Sequence, residues 1–95
     1  MAQPRDDDGE MHRPPVFLPG AKVRAIMHIR NDGTFAGREI GEILVCKGDE
    51  GYVRDIGTYL QRYYIYAVEF IVRGAVVGMR ARELAAVDAP QEAAP

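Results

Sequence analysis

Apolar and polar residues alternate in the stretch that begins at Gly20. The alternating residues are Val23, Ala25, Met27 and Ile29 on one side and Lys22, Arg24, His28 and Arg30 on the other, with Ile26 as the one exception. A period of two predicts a strand with one buried face. Asn31-Asp32-Gly33 follows, and these residue types tolerate the positive φ of a tight turn. We therefore predict one continuous first strand that ends at this turn.

The middle of the chain contains three more stretches with strand character. Residues 31–50 carry four glycines around one apolar run, Ile43–Cys46, which predicts a long excursion with a single strand. Gly51–Gly57 indicates the next strand. Tyr63–Val72 is the clearest one, because β-branched and aromatic residues occupy one parity along it.

The last part of the chain predicts a hairpin and a helical turn. Arg73-Gly74 predicts a two-residue turn into a strand over Ala75–Met79. Ala81–Val87 predicts one helical turn, Arg82–Leu84, before a short last strand. The fold class is therefore mainly β, and we expect a small SH3-like barrel of about five short strands with a short helical turn near the C-terminus. An open meander sheet is the alternative.

The polarity of the two ends separates them from the middle. The first 15 residues combine three Pro with a run of acidic residues and offer little to bury. We predict a disordered lead over residues 1–15, one domain over residues 16–87 and a disordered tail over residues 88–95. The core of such a small domain has no room for an enclosed binding site. Any binding site is therefore expected on the surface.

Composition narrows the class of protein. Apolar residues make up 47% of the chain and charged ones 27%, and the net charge of −2 does not favour nucleic acid as a partner. No secretory segment is recognised, and no apolar run approaches the roughly 18 residues that span a bilayer. The single cysteine, Cys46, excludes an internal disulfide and indicates a reducing compartment. We expect a cytoplasmic protein that contacts no membrane.

Candidate metal ligands are few. Cys46 is either a reactive thiol beside Lys47, or a ligand to a passing cluster, or, as we favour, a small buried apolar residue of its strand. His12 and His28 do not stand at a ligand spacing. We therefore predict no metal site and no bound cofactor.

The sequence also offers no catalytic constellation. The chain contains no Ser and no Gly-rich phosphate loop. Asp55 and Glu69 fit acids on a strand surface that pair with Arg54 or other cations better than they fit a catalytic pair. We therefore predict that the protein is not an enzyme.

Four tyrosines cluster in the middle of the chain. Tyr64 and Tyr66 share the apolar face of their predicted strand, which favours packing in the core. Tyr59 and Tyr63 are the candidates for an exposed recognition platform.

Three stretches of the chain together resemble the NifZ family. They are Arg30-Asn31-Asp32-Gly33-Thr34-Phe35, then Gly51-Tyr52-Val53-Arg54-Asp55-Ile56-Gly57-Thr58-Tyr59-Leu60-Gln61, and Val76-Val77-Gly78-Met79-Arg80 with Glu83-Leu84. The likeness runs from about Gly20 to Leu84. Ala36 stands where this family commonly has Pro, and Met79 where it commonly has Cys. A thioether is a poorer ligand for iron than a thiolate, so this chain gives little support for iron bound at Met79.

The resemblance implies an accessory protein of nitrogen-fixing bacteria that matures the molybdenum–iron protein of nitrogenase, particularly its P-clusters. On that basis we expect a chaperone-like factor whose partners are the immature molybdenum–iron protein and other assembly factors. A KOW-like or Tudor-like adaptor for RNA or peptides is the alternative that fits the same barrel. A redox or metal carrier is a third class, which one Cys and two scattered His fit poorly.

Partner contact is expected at the charged loops of the family-like stretches, because Arg forks and backbone donors suit protein interfaces. The predicted partner-binding residues are Arg30, Asn31, Asp32, Gly33, Thr34, Tyr52, Arg54, Asp55, Tyr59 and Arg80.

Overall fold

The computed structural model of the protein describes residues 10–87. The predicted tail and the first nine residues of the predicted lead lie outside these described residues. Within them the protein is mainly β, with short 3-10 helices, which confirms the predicted class.

In the part of the chain that the structure describes, seven strands form two antiparallel sheets. The strands are β1 (Lys22–Ala25), β2 (Ile29–Arg30), β3 (Ile43–Val45), β4 (Glu50–Tyr59), β5 (Tyr63–Phe70), β6 (Ala75–Met79) and β7 (Leu84–Ala86). The larger sheet has the order β6-β5-β4-β1-β7, and β2 pairs with β3 in the smaller one. The 3-10 helices are Glu10–His12, Ile71–Arg73 and Ala81–Glu83.

The long hairpin of β4 and β5 is the centre of the larger sheet. Its register runs from Tyr52 opposite Glu69 to Tyr59 opposite Tyr63, with a bulge at Arg54. Gly51 lies against the carbonyl of Glu69, and a Cβ at this position would clash with that backbone. A glycine is therefore required where β4 passes between β1 and β5.

The core lies on one face of the larger sheet. Alternate residues of β5 and β6 point into it, as a period of two requires. The largest side chains that are almost completely buried are Val23, Val45, Val53, Tyr66, Val68, Phe70 and Met79. Phe17, which precedes the first strand, packs its ring edge-on against Tyr66 with the centroids 5.4 Å apart. The core therefore combines the sheet, the smaller ribbon and the segment before β1.

The prediction of one continuous first strand is wrong. The chain leaves β1 after Ala25 and begins β2 in the other sheet at Ile29. The Ile26 amide donates to the Glu83 carbonyl at 3.0 Å, and the Gly48 amide donates to the Ala25 carbonyl at 2.8 Å. These long-range bonds turn the chain, so Met27, which the alternation assigns to the buried face, is exposed.

The predicted two-residue turn at Arg73-Gly74 is also wrong. β5 ends at Phe70, and Ile71–Arg73 forms a 3-10 helix before Gly74. The Gly74 amide donates to the carbonyls of Phe70 and Ile71, which closes this longer connection. Val72, predicted to be the last inward residue of the strand, is exposed.

The remaining predicted elements are confirmed in type. The excursion contains a single strand, Ile43–Val45, as predicted, β4 extends the predicted Gly51–Gly57 at both ends, and β6 has the predicted bounds. The predicted helical turn and short last strand correspond to Ala81–Glu83 and β7.

The described part of the predicted disordered lead, residues 10–15, contacts the sheet. The Tyr64 amide donates to the Glu10 carboxylate at 3.3 Å, and the Tyr64 hydroxyl donates to the Arg13 carbonyl at 2.6 Å. Composition does not reveal these contacts, because they are polar and join residues that are more than 50 positions apart in the sequence. None of the helices in residues 10–87 is long and apolar enough to cross a membrane.

Candidate functional site: a groove beside the Asn31 loop

The loop between β2 and β3, residues 31–42, is built on one buried side chain and is called the Asn31 loop below. The side-chain Nδ2 of Asn31 donates to the carbonyls of Phe35 and Arg38 at 3.1 and 2.9 Å. Its side-chain oxygen accepts from the backbone amides of Gly33 and Phe35 at 2.9 and 3.1 Å. The polar atoms of the Asn31 side chain are buried and bonded within the loop, so Asn31 holds the loop in shape, and its predicted contact with a partner stays a prediction.

The tip of this loop presents a fixed negative charge. The Asp32 carboxylate accepts from the Thr34 hydroxyl at 2.7 Å and from the Thr34 amide at 3.1 Å. These two hydrogen bonds, that of the hydroxyl first, lower the pKa of Asp32 below its usual value. Gly33 between them has a φ of 104°, which a residue with a side chain rarely adopts. Asp32 and Thr34 are both exposed, as their predicted role requires.

A surface groove of about 750 Å³ lies beside the Asn31 loop and is called the groove below. One of its sides is formed by the end of β2, with Arg30, and by the loop, with Asp32, Thr34 and Phe35. Another part of its lining comes from the larger sheet. It consists of three consecutive residues of β6, Val76–Gly78, and of Ile65 in β5. The remaining lining residues are Met27, His28, Ile29, Leu44, Tyr59, Tyr63 and Glu83.

Two stacked tyrosines stand in this lining, where the β4–β5 hairpin turns. The rings of Tyr59 and Tyr63 are 5.4 Å apart between centroids and 23° from parallel. They face each other across the hairpin, because Tyr59 is opposite Tyr63 in the register. Tyr59 is exposed, so the stack offers an aromatic surface to a ligand.

The polar groups in the lining carry charges of both signs. The Arg30 guanidinium donates to the Gly41 carbonyl at 2.8 Å, which fixes the side chain against the Asn31 loop. His28 Nδ1 accepts from the Lys47 backbone amide at 3.1 Å. With Asp32 and Glu83 also in the lining, the groove pairs apolar walls with a few fixed polar groups, as binding sites commonly do.

Six of the predicted partner-binding residues do not line the groove, and three of these six lie on the sheet face opposite the core. Arg54 forms an ion pair with Glu69, as the sequence predicts for this acid. Tyr52 is opposite Glu69 in the register and has the Lys22 ammonium 6.0 Å from its ring centroid. Asp55 accepts from the backbone amide of Ile56. The structure thus places four of the ten predicted residues in the groove and three on the sheet face, while Asn31, Gly33 and Arg80 belong to neither set.

Arg80 is held inside the protein. Its guanidinium carbon lies 3.6 Å from the centroid of the Tyr63 ring, and one of its amino groups lies 3.4 Å from the Glu10 carboxylate. The exposed fraction of the Arg80 side chain is 16%, against 59% for Arg54. Arg80 is therefore much less accessible to a partner than Arg54, and its contact with a partner stays a prediction.

A smaller cavity of about 340 Å³ lies between residues 10–16 and the Arg80–Arg82 segment. Its lining includes Glu10, Arg13, Tyr64 and Arg80. The Arg80–Glu10 ion pair crosses from one side of this cavity to the other. The cavity therefore belongs to the contact between the start of the described chain and the sheet.

Cys46 lies at a polar corner of the structure. It is half-buried and follows β3, instead of being fully buried within the strand as predicted. Its backbone amide donates to Asp49, which also accepts from Arg73 Nε at 2.6 Å. Partial burial opposes ionisation of Asp49, but the hydrogen bonds from Cys46 and Arg73 outweigh it and lower its pKa.

Potential metal ligands are dispersed in the described chain. No group of three His, Cys, Asp or Glu side chains within residues 10–87 is placed to hold a metal ion. Met79, at the position where the family commonly has Cys, is buried in the core.

Sequence reasoning missed the part of the groove that β6 contributes. Val76 and Gly78 have the parity opposite to the buried Val77 and Met79, so alternation along the strand was a signal that could have placed them outward. Phe35 was part of a family-like stretch but was not assigned to the site, and it lines the groove while packing against the core.

The fold and the site define a small, mainly β protein with an open groove on its surface. The NifZ domain family model matches residues 14–86, and the chain therefore belongs to the NifZ family. Membership of this family indicates an accessory role in nitrogen fixation.

Curated relatives agree with this assignment. The chain is 62% identical over 84 residues to a putative NifZ protein of Sinorhizobium fredii, covering 88% of this chain and 78% of the relative. It is 58% identical over 74 residues to a probable NifZ protein of Rhodobacter capsulatus, covering 78% and 95%. It is 45% identical over 76 residues to the NifZ protein of Azotobacter vinelandii, covering 80% of this chain but 48% of that longer protein. No solved structure matches the chain.

Proposed function

We propose that this protein is a nitrogenase maturation factor that acts without catalysis, by binding the immature molybdenum–iron protein transiently. In this role it is chaperone-like: it favours a conformation of its client in which the P-clusters are completed. Membership of the NifZ family supports the pathway. The proposed place of action is the cytoplasm.

The observation that carries the proposed mode of action is the groove. It brings the exposed tip of the Asn31 loop to the same surface as the stacked pair of Tyr59 and Tyr63. Protein interfaces favour aromatic residues and Arg at their centre and polar groups at their rim, and the groove offers both. We assign client binding to Arg30, Asp32, Thr34 and Tyr59 within the predicted set.

We further propose that the fold is an SH3-like barrel. The sheet order β6-β5-β4-β1-β7 supports this, because the first and last strands pair beside a three-strand meander. The 3-10 helix Ala81–Glu83 immediately before β7 and the long excursion between β1 and β4 fit the same plan.

The test compares two exposed tyrosines, one in the groove and one on the sheet face. Tagged full-length protein is used to capture the molybdenum–iron protein from cells starved of cluster supply. Tyr59→Ala should weaken the association by about tenfold, a typical loss for an aromatic residue at the centre of an interface. Tyr52→Ala is the matched control and should remain within about twofold of the wild type. The P-cluster content of the client, followed by its EPR signal, should fall only with Tyr59→Ala.

Three results would contradict the proposal. Equal losses for the two variants would remove the groove as the binding site. Capture of no molybdenum–iron protein by the wild type would remove the proposed client. Tight, salt-sensitive binding of RNA without such capture would favour the RNA-binding adaptor instead.

A further inference from the structure

β6 is an edge strand. Its register pairs Ala75–Met79 with β5 on one side, and the sheet order ends there. In an antiparallel pair, the main-chain groups of alternate residues point away from the neighbouring strand. Within residues 10–87, no hydrogen bond is formed by these outward groups of β6. The strand therefore presents unused donors and acceptors along one side.

The sequence of this edge lacks the features that usually protect one. Natural proteins discourage strand pairing at an edge with charged residues, Pro or a bulge. Ala75-Val76-Val77-Gly78-Met79 contains no charged residue and no Pro, and its register with β5 has no irregularity. An edge of this composition is suited to pairing with another extended chain.

The groove runs along this edge. Val76, Val77 and Gly78 all line it, although successive side chains of a strand point to opposite faces. Residues of both parities can line the same groove if the groove lies along the edge of the strand. The main-chain groups at this edge of β6 then form the wall of the groove. The side chains of Ile65 and Tyr63, on the face opposite the core, continue this wall.

The Asn31 loop limits what fits beside the edge. Its residues Asp32 and Phe35 line the same groove, so β6 lies in a recess with a second side. A recess that has an unpaired strand edge on one side suits a single extended chain. The lining also carries opposite charges, at Arg30 and Asp32, so it does not demand a strongly charged ligand.

We propose that β6 receives an extended, largely apolar segment of a partner protein as an additional strand of the sheet. The main-chain groups of β6 bind the backbone of this segment, and alternate apolar side chains of the segment contact Val76, Ile65 and the tyrosine stack. The identity of the partner, the molybdenum–iron protein, rests on the proposed function. The mode of binding rests on the edge and the groove.

The experiment uses the full-length chain and overlapping peptides of about 10 residues, the upper length of ordinary strands, covering both subunits of the molybdenum–iron protein. Hydrogen exchange of the ¹⁵N-labelled protein is followed by NMR. A bound peptide should slow exchange at alternate amides of β6. Methylating the backbone nitrogens of the peptide one at a time should weaken binding by about tenfold at every second position and by less than about threefold between them, because only one parity donates to the edge.

Two variants of the protein provide a matched pair. Val76→Asp places a charge beside the edge and should weaken peptide binding by about tenfold. Val72→Asp adds the same charge to the neighbouring 3-10 helix, at a side chain that is 97% exposed and outside the groove lining, and should leave binding unchanged. Val76 is 49% exposed, so both variants are expected to fold.

Four results would overturn strand addition. They are peptide binding without slower exchange in β6, a methylation scan without alternation, equal effects of the two Asp variants, and a dimer whose β6 amides are protected without peptide. If no peptide binds but the folded molybdenum–iron protein is still captured, strand addition fails while the proposed function stands. If neither binds, the proposed function fails with it.

Discussion

Asn31 shows how one residue can determine the shape of a loop. Its side chain forms hydrogen bonds with the backbone amides of Gly33 and Phe35 and with the carbonyls of Phe35 and Arg38. In a helix or sheet, these backbone groups would bond to other backbone groups. Local bonds of this kind are the reason that Asn is favoured at turns. Because the Asn31 loop forms one side of the groove, the position of the proposed binding residues depends on this buried amide.

Asn31→Ala should therefore destabilise the protein. The substitution leaves several loop groups without their partner, and the expected loss is about 2–3 kcal/mol in the free energy of unfolding. Urea denaturation measures it. Thr34→Ala is the control in the same loop, since it removes only the exposed hydroxyl bond to Asp32 and should cost less than about 1 kcal/mol. An Asn31→Ala protein as stable as the wild type would mean that the loop is held by other contacts.

Arg80 and Arg54 belong to the same kind of family-like stretch but differ in environment. Arg80 lies over the Tyr63 ring and pairs with Glu10, and little of it is exposed. Arg54 forms an exposed pair with Glu69 on the sheet face. Exposed pairs contribute about 0–1 kcal/mol, whereas a partly desolvated cation on an aromatic ring contributes more.

From this difference we expect unequal effects of the two alanine substitutions. Arg80→Ala should lower the free energy of unfolding by about 1–2 kcal/mol, because it removes the contact with Tyr63 and the ion pair with Glu10. Arg54→Ala should change it by less than about 0.5 kcal/mol. Thermal and urea unfolding of both variants provide the measurement. Equal stability of the two variants would place Arg80 among the surface arginines, as the sequence alone predicts.

The β4–β5 turn is an element whose backbone and sequence disagree. Leu60 and Gln61 have φ values of 51° and 56°, and the Arg62 amide donates to the Tyr59 carbonyl at 2.9 Å across the turn. Two successive residues with positive φ are typical of a type I′ turn, where Asn-Gly is preferred. Leu is poorly suited to this conformation, and its side chain is 71% exposed, so packing gives little compensation.

Replacing both residues with the preferred pair should stabilise the protein. Leu60→Asn combined with Gln61→Gly is expected to raise the free energy of unfolding by about 1 kcal/mol, because the native φ values become unstrained. Leu60→Ala is the control, since it shortens the side chain but keeps a β-carbon at positive φ, and it should bring no gain. A double variant less stable than the wild type would show that the Leu60 side chain makes contacts that outweigh the strain.

At the scale of elements, the sequence predicts those strands whose limits are set locally. β6 has the predicted bounds because its alternation and the flanking Gly74 are visible in the sequence. The break between β1 and β2 is not visible, because it depends on the bond from the Ile26 amide to Glu83, far along the chain. The site follows the same rule: the loop residues were predicted, while the lining from β6 depends on which strand lies at the edge of the sheet.

One side of the core is covered by the segment before β1, which contains Val16 and Phe17 and has no regular secondary structure. The Val16 amide donates to the Tyr66 hydroxyl at 2.9 Å, and the Phe17 ring packs edge-on against the same tyrosine. Tyr66 is fully buried and belongs to the central hairpin of the larger sheet. The segment before β1 therefore covers the core, and the stability of the whole sheet depends on it.

Phe17→Ala should consequently affect the molecule as a core substitution does. Removing the buried ring leaves a cavity against Tyr66, and the expected loss is about 3 kcal/mol in the free energy of unfolding, a typical value for Phe→Ala in a core. Leu18→Ala is the control, because Leu18 is the next residue and is exposed, and it should cost less than about 0.5 kcal/mol. Urea denaturation followed by tyrosine fluorescence measures both. If the two variants are equally stable, the segment before β1 does not pack on the core, and the part of the chain that unfolds cooperatively begins at β1.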